Sequence, residues 1–512
     1  MKSLHQALNF FLDKAILFLI SVVFIFVMTS SADANNLGMS TPKKLSLITP
    51  KGTGNDNNGG NNGGGKQLKT TMTCANPIWK EADFNSVYHV GPGQTYTTPN
   101  DVPWEDITPS SLIKIHWRAE AYRNKWVINT NATQQEPVIV LGVPDNGRLP
   151  VISGENATTR LALDYWNEGR SLIKIGAASI PRGNNAAYIT VACLDLKSAK
   201  PNYSFKNDSG STSSYSSNAA AIHIEQGEYI SIRNNAIHDA SNGIFSTSQT
   251  ANILISSNHI WDNGINGSIY QHNSYTESLG ITFEYNYYGP LCSGCLGNNL
   301  KDRSAGTVIR YNWIEDGNRQ LDLVESDYAT FVNNPLYRTT YVYGNLLTEH
   351  EGQGNRQIVH YGGDGGDRSM YRKGTLYFFH NTIYSDRSRN TLFALSSNDE
   401  NVDMRNNIIA GADFAILDSK GIVNMTNNWL TSGWVNSHSS LIGSVNASGT
   451  IQGLDAGFSN ISSNNFYLKS GAGAIGQAGS LSNSSHPILW EFKIPSNGIE
   501  RDSNDDLGAF NF

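Results

Sequence analysis

An asparagine recurs along this chain in one fixed setting, and that repeat limits the fold. Asn235, Asn258, Asn286, Asn312, Asn345, Asn381, Asn407 and Asn428 each follow a short apolar alternation and precede an apolar residue by one or two positions. Phe283-Glu284-Tyr285-Asn286-Tyr287-Tyr288 and Ile309-Arg310-Tyr311-Asn312-Trp313-Ile314 show the pattern, and the spacings are 23, 28, 26, 33, 36, 26 and 21 residues. Repeats of this length mark stacked units, each unable to bury its apolar face alone. The alternation has period two, so each unit contributes a strand. Asparagine suits the turn after a strand because it tolerates left-handed backbone and bonds the chain nearby. Stacked turns would align the amides in a hydrogen-bonded ladder. These features predict an all-β fold, a single-domain parallel β-helix.

The chain has 512 residues, 16% of them charged, with a net charge of −7. That balance argues against nonspecific nucleic-acid binding. It leaves an anionic sugar possible only where cations or a metal gather locally. Residues 1–34 read as a signal peptide: Lys2 and Lys14 precede an apolar run from Ala15 to Met28, and Ala32-Asp33-Ala34 offers a cleavage site. The competing reading is an uncleaved anchor, but the run is short for a full span. The expectation is an exported monomer, periplasmic, secreted or cell-surface, with no stable membrane insertion after cleavage. Residues 35–75 read as a linker, since Gly52 to Gly65 is almost all Gly and Asn. The β-helix is expected over 76–512, closed by a terminal strand at Asp506-Leu507-Gly508-Ala509-Phe510. Four cysteines are too few for a disulfide framework. Cys292-Ser293-Gly294-Cys295 reads as a local disulfide or two loop thiols.

Counting forward from each Asn exposes a second ladder of short strands. These are 243–246, 268–272, 299–303, 321–325, 357–360 and 390–394. The middle four carry His272, Lys301, Asp302, Arg303, Asp322, Glu325 and His360. Successive strands of a stack lie about 4.8 Å apart, so matching positions become side-chain neighbours. Such a strip of mixed charge is suited to acid–base chemistry, because opposite charges and burial shift each pKa. Stacked charges that merely pair are the competing reading. Asn273, Tyr275 and Glu277, just after His272, are candidate ligand contacts, against a reading as loop caps. Arg319 is a candidate carboxylate clamp, against a surface pair with Glu315 or Asp316. The run Gly362-Gly363-Asp364-Gly365-Gly366-Asp367 reads as a flexible, solvated acidic turn beside His360, against a reading as oxygen ligands for a calcium ion, whose loop spacing it does not match.

At these residues the chain resembles exported right-handed parallel β-helix proteins related to polysaccharide lyases, chondroitinase-B-like and alginate-lyase-like. The resemblance rests on 90–96, 142–144, 270–277, Asn298-Asn299-Leu300-Lys301-Asp302-Arg303-Ser304-Ala305-Gly306-Thr307, the following 318–325, and 506–510. It implies Lys301 as general base, with Arg303 or Arg319 as acid or carboxylate clamp. His272 joins them as a catalytic candidate, and Asn273, Tyr275, Glu277 and His360 as substrate contacts. It also implies Asp322 and Glu325 as ligands of a Ca2+ ion, although the Lys motif is matched only loosely. The implied reaction is β-elimination on a uronic-acid polysaccharide, in which cations stabilise the anion formed beside the carboxylate. Arg303 is expected to lower the pKa of Lys301. Two alternatives stand beside it. One is a glycoside hydrolase using Asp302, Asp322 or Glu325 as its carboxylates; the other is a non-catalytic carbohydrate-binding β-helix.

Overall fold

The computed structural model describes residues 71–512 apart from 184 and 484. The signal peptide at 1–34 and nearly all of the linker at 35–75 lie outside the described residues. Thr71–Ala75 already belong to the solenoid: Cys74 is disulfide-bonded to Cys193, and the Thr71 amide donates to the Gly498 carbonyl.

Each full coil gives one strand to each of three sheets, and neighbouring coils pair in parallel. One coil runs Ala305–Arg310 in the first sheet, Trp313–Glu315 in the second and Leu321–Leu323 in the third. Thr339–Tyr343 then begins the next coil, one strand further along the first sheet. The sheets comprise 14, 11 and 13 strands among the described residues. This is the parallel β-helix that the repeat predicts. Stacked aliphatic and aromatic side chains fill its centre: Leu300, Leu321, Val359 and Phe393 form one such row across four coils, all buried. The Ser204–Ser217 excursion holds an antiparallel pair, Ser204–Lys206 with Thr212–Ser214.

The asparagine ladder is present in full. The amide nitrogen of Asn235 donates to the side-chain oxygen of Asn258 at 3.0 Å, and the pattern repeats through Asn286, Asn312, Asn345, Asn381, Asn407 and Asn428 at 2.9–3.0 Å. Each oxygen also takes the backbone N–H of the preceding ladder asparagine, as Asn312 does from Asn286 at 3.0 Å. The left-handed backbone, however, belongs to the residue before each ladder asparagine. Asn234, Ser257, Tyr285, Tyr311, Gly344, His380, Asn406 and Asn427 have φ between 50° and 66°. Most of these are not glycine, so the turn is imposed at a local cost of roughly 1–2 kcal/mol. The ladder bonds and ring stacks such as Tyr343 on Phe379, centroids 4.7 Å apart, offset it. Gly344 is needed, since an added Cβ would stand 2.6 Å from the Tyr311 ring.

The closing segment departs from expectation. Residues 506–510 form no strand; they lie buried as irregular chain against the second sheet. Gly508 N–H donates to the Asn406 carbonyl and Ala509 N–H to Thr382 Oγ1. Two hairpins, Phe458–Asn460 with Asn465–Leu468 and Trp490–Lys493 with Asn497–Glu500, precede or flank this return. No helix among the described residues is long and apolar enough to cross a membrane.

Candidate active site

The third sheet carries the predicted strip, with one strand reassigned. The strand after the Asn258 turn is Ser274–Thr276, not 268–272. The register therefore stacks Phe245, Tyr275, Lys301, Asp322, His360 and Ala394. Period two explains the alternation: Leu300 and Leu321 point into the core, so Lys301 and Asp322 point out.

Asp322 is the hub. Its Oδ2 lies 2.7 Å from Lys301 Nζ and 2.6 Å from Asn298 Nδ2, and its Oδ1 lies 2.7 Å from His360 Nδ1. Arg319 approaches the same oxygen at 3.8 Å. Burial pushes the Asp322 carboxyl up, but the bonds from His360 and Lys301 outweigh this and hold it far below the usual carboxylate range. Asp322 is thus an anion and an acceptor only.

The glycine-rich loop does not stay in solvent. Asp364 reaches back to Lys301 Nζ at 2.7 Å and Arg303 at 3.5 Å. Glu325 anchors the loop by accepting the Asp364 and Gly365 backbone N–H groups, the first at 2.9 Å. At its far end the fully buried Arg372 donates to the Asp302 carbonyl and to Val324 O, and pairs with the fully buried Asp302 carboxylate at 3.3 Å. Hydroxyls of Thr276, Ser304 and Thr307 donate to the same carboxylate. Removing either charge of such a pair costs about 3–5 kcal/mol, so this loop is clamped onto the strip.

These contacts sort the predicted residues. Lys301, Asp322 and His360 stand together on the strip. Tyr275 and Arg303 join them, Arg303 Nε donating to the Tyr275 hydroxyl at 3.1 Å. Arg319 stays at the groove edge, bonded to Gln357 Oε1 at 2.8 Å rather than paired with Glu315 or Asp316. His272 is buried, its Nδ1 accepting the Asn298 N–H at 2.9 Å, so it supports the strip from beneath and cannot meet substrate. Burial first, and the Lys301 charge second, depress its pKa to about 3. Asn273 is fully buried in a corner ladder between Asn263 and Asn299, and is structural. Glu277 is buried on the Ser326 hydroxyl and is likewise no substrate contact.

Two expected roles fail on charge. Burial pulls the Lys301 ammonium down, yet Asp322 and Asp364 outweigh it and leave its pKa above the ordinary lysine value. A lysine between two carboxylates keeps its proton, so it is not the resting base, and Arg303 does not lower it. Asp322 and Glu325 do not fit a calcium site either. Asp322 faces Lys301, His360 and Arg319, and the Glu325 carboxylate is filled by two backbone N–H groups. Calcium needs six to eight oxygen ligands, and cations and N–H donors occupy that space. The hydrolase carboxylates meet the same objection, since Asp302 is fully buried and Asp322 fully engaged. Elsewhere, Glu315, Asp316 and His350 bring possible metal-ligand atoms within 4.8 Å of one another. The Asp316 hydrogen bond at 3.0 Å raises His350 to about 9, so these groups already close an ion pair among themselves.

Sequence reasoning missed Asp364 as a site residue and Ser396 altogether. His360 Nε2 lies 3.0 Å from Ser396 Oγ. Together they line an open groove of about 270 Å3 with Arg319, Gln357, Tyr371 and Lys420. Nothing local in the sequence marks Ser396; only the register, which sets it two residues past Ala394, brings it to His360. The two cysteines of the Cys292–Cys295 loop are bonded to each other, as one of the two sequence readings had it.

No protein-family model and no curated protein matches the chain. Among solved structures it is similar to a pectate lyase, Pel9A, at 12% identity over 84% of this chain and 96% of that one, with TM-score 0.46. It is similar to an alginate lyase from Paenibacillus sp. str. FPU-7 at 10% identity over 72% and 99%, TM-score 0.40. It is also similar to a GH136 lacto-N-biosidase from Eubacterium ramulus at 12% identity over 72% and 68%, TM-score 0.37.

Proposed function

We propose that the chain is an exported enzyme that cleaves a uronic-acid-containing polysaccharide by β-elimination. The observation that carries this reading is the Asp364 carboxylate resting on Lys301 and Arg303. Two fixed cations already hold one carboxylate at the mouth of the strip. A uronate carboxylate has the same charge and shape, and would take that place when the Asp364 side chain swings aside. Asp364 is exposed, so its side chain can swing aside while Glu325 keeps the loop backbone in place.

In that position Lys301 and Arg303 neutralise the sugar carboxylate and stabilise the anion formed beside it. His360, oriented by the Asp322 anion on Nδ1, is the proton acceptor through Nε2 when the Ser396 hydroxyl, 3.0 Å away, donates instead to the Gly363 carbonyl. Arg319 stands at the groove edge for a neighbouring sugar. Electrons from the broken C–H bond form the new double bond as the bond to the glycosidic oxygen breaks, and that oxygen takes a proton from water while His360 returns its own to solvent. The test is ultraviolet absorbance on a panel of polyuronates, because only elimination conjugates a double bond to the carboxylate. Reducing ends without that absorbance would replace the reading with a hydrolase. Retention of glycan without cleavage would replace it with a binding module.

A further inference from the structure

The groove beside the cationic pair holds a second chemical device, built from three consecutive coils. Asp322 lies in Leu321–Leu323, His360 in Gln357–Tyr361, and Ser396 just past Asn390–Leu395. Register places Asp322 beside His360 and His360 beside Ala394. Ser396 Oγ is 3.0 Å from His360 Nε2, and His360 Nδ1 is 2.7 Å from Asp322 Oδ1. An ionised Asp322 accepts only, so the imidazole proton sits on Nδ1 and the Nε2 lone pair faces the serine. We propose that Ser396, His360 and Asp322 form a triad of nucleophile, base and orienting carboxylate that hydrolyses small acyl esters carried on a sugar hydroxyl. The proposal stands on these contacts and does not depend on the elimination reading.

The surroundings are shaped for it. Gly362 has φ of 133°, and an added Cβ would stand 2.7 Å from both Cβ and Oγ of Ser396, so glycine there makes the room the serine occupies. Gly363 N–H donates to Ser396 Oγ at 2.9 Å and the Gly363 carbonyl lies 2.9 Å from the same oxygen, so the loop backbone fixes its position and the hydroxyl proton has two acceptors, Gly363 O and His360 Nε2. Ala394 leaves the flank of the imidazole open. Arg319 and Lys420 line the same groove and supply positive charge for an oxyanion. The groove, about 270 Å3 and polar along its wall, suits an acetyl-sized group on a sugar rather than a long acyl chain.

The chemistry balances with water alone. Ser396 Oγ bonds to the ester carbonyl carbon as its proton passes to His360 Nε2. The tetrahedral intermediate collapses, the bond to the sugar oxygen breaks, and that oxygen takes the proton from His360. Water then attacks the acyl-serine with His360 as base, releasing the carboxylic acid and restoring the serine.

The experiment uses the full chain with an aryl acetate, an O-acetylated polysaccharide and a fluorophosphonate probe. The expected result is acetate release and a single covalent adduct mapped to Ser396. Ser396→Ala is expected to lower the ester rate by about 10³-fold or more and to abolish the adduct. Wild-type protein that gains no adduct at Ser396, or that cleaves esters no faster than Ser396→Ala, would overturn the proposal. Labelling of the wild type needs no variant to fold. Because non-acetylated polyuronate reports elimination alone, loss of one activity leaves the other separately testable.

Discussion

Asn312→Ala tests the fold's central device where it is most completely buried. Asn312 has no exposed surface. Its side-chain oxygen accepts both the N–H of Asn286 and the amide of Asn286, at 3.0 and 2.9 Å. Its amide donates to Asn345 Oδ1, to Phe283 O and to Arg310 O at 2.9–3.0 Å. Alanine would leave both Asn286 donors and the Phe283 carbonyl without this partner, inside a sealed corner. Each buried group left unsatisfied costs about 1–3 kcal/mol. With some relaxation toward the vacated space, the total comes to roughly 4 kcal/mol, in the range that marks loss of a buried network. The assay is urea unfolding followed by circular dichroism. Asn446→Ala is the control, because the Asn446 amide makes the same kind of bond, to Asn424 at 3.0 Å, at an exposed position. That control should change stability by less than about 0.5 kcal/mol. A loss below about 1 kcal/mol for Asn312→Ala, or equal losses at both sites, would refute the idea that the interior ladder holds the coils together.

Three further outcomes follow from the site. His272 is held neutral, its pKa lowered to about 3 by burial and then by Lys301, so the folded state resists a proton that the unfolded chain accepts near 6.5. Stability from this group is full above pH 6.5 and falls as pH drops toward 3, by roughly 3 kcal/mol at pH 4; His272→Asn should flatten that part of the pH profile measured by urea midpoint, and an unchanged profile would contradict it. Asp364→Ala should remove the internal competitor for Lys301 and Arg303, lowering KM for polyuronate by about 3–10-fold with kcat little changed; steady-state kinetics showing a raised KM would count against Asp364 as a stand-in for substrate. Chelation of divalent ions should leave the melting temperature and the activity unchanged, because Lys301, His360 and backbone N–H groups already satisfy Asp322 and Glu325; a rise in melting temperature with added calcium would show a bound ion.

The fold could be read from the sequence because its signal is periodic. Eight asparagines at coil spacing, each between apolar alternations, fix both the strand and the corner. The site was readable only in part, and for a physical reason. A strip residue is defined by register across coils, and a loop of variable length separates each asparagine from its third-sheet strand. Lys301, Asp322 and His360 lie on the strip as the sequence spacing suggests. His272 is expected on the strip, but the strand starts at Ser274, beyond it, and puts Tyr275 there instead. Asn273 and Glu277 looked like ligand contacts because polarity in sequence does not reveal burial, whereas both satisfy corners of the solenoid. Asp364 was read as solvated because a glycine-rich acidic turn carries no sign of the lysine it will meet. Ser396 is one serine among many until the stack sets it against His360. The charge state of Lys301 is not legible in sequence, because it depends on two carboxylates that register and the Asp364 loop bring to 2.7 Å.

The most direct test of the account is ultraviolet-detected elimination by the full chain on non-acetylated polyuronates, comparing wild type with Lys301→Ala. The account predicts that the wild type generates the conjugated double bond on at least one polyuronate. The variant, lacking half of the cationic pair, should lose about 10²-fold or more in kcat/KM. A wild type that forms no double bond on any polyuronate, or a variant as active as wild type, would contradict it.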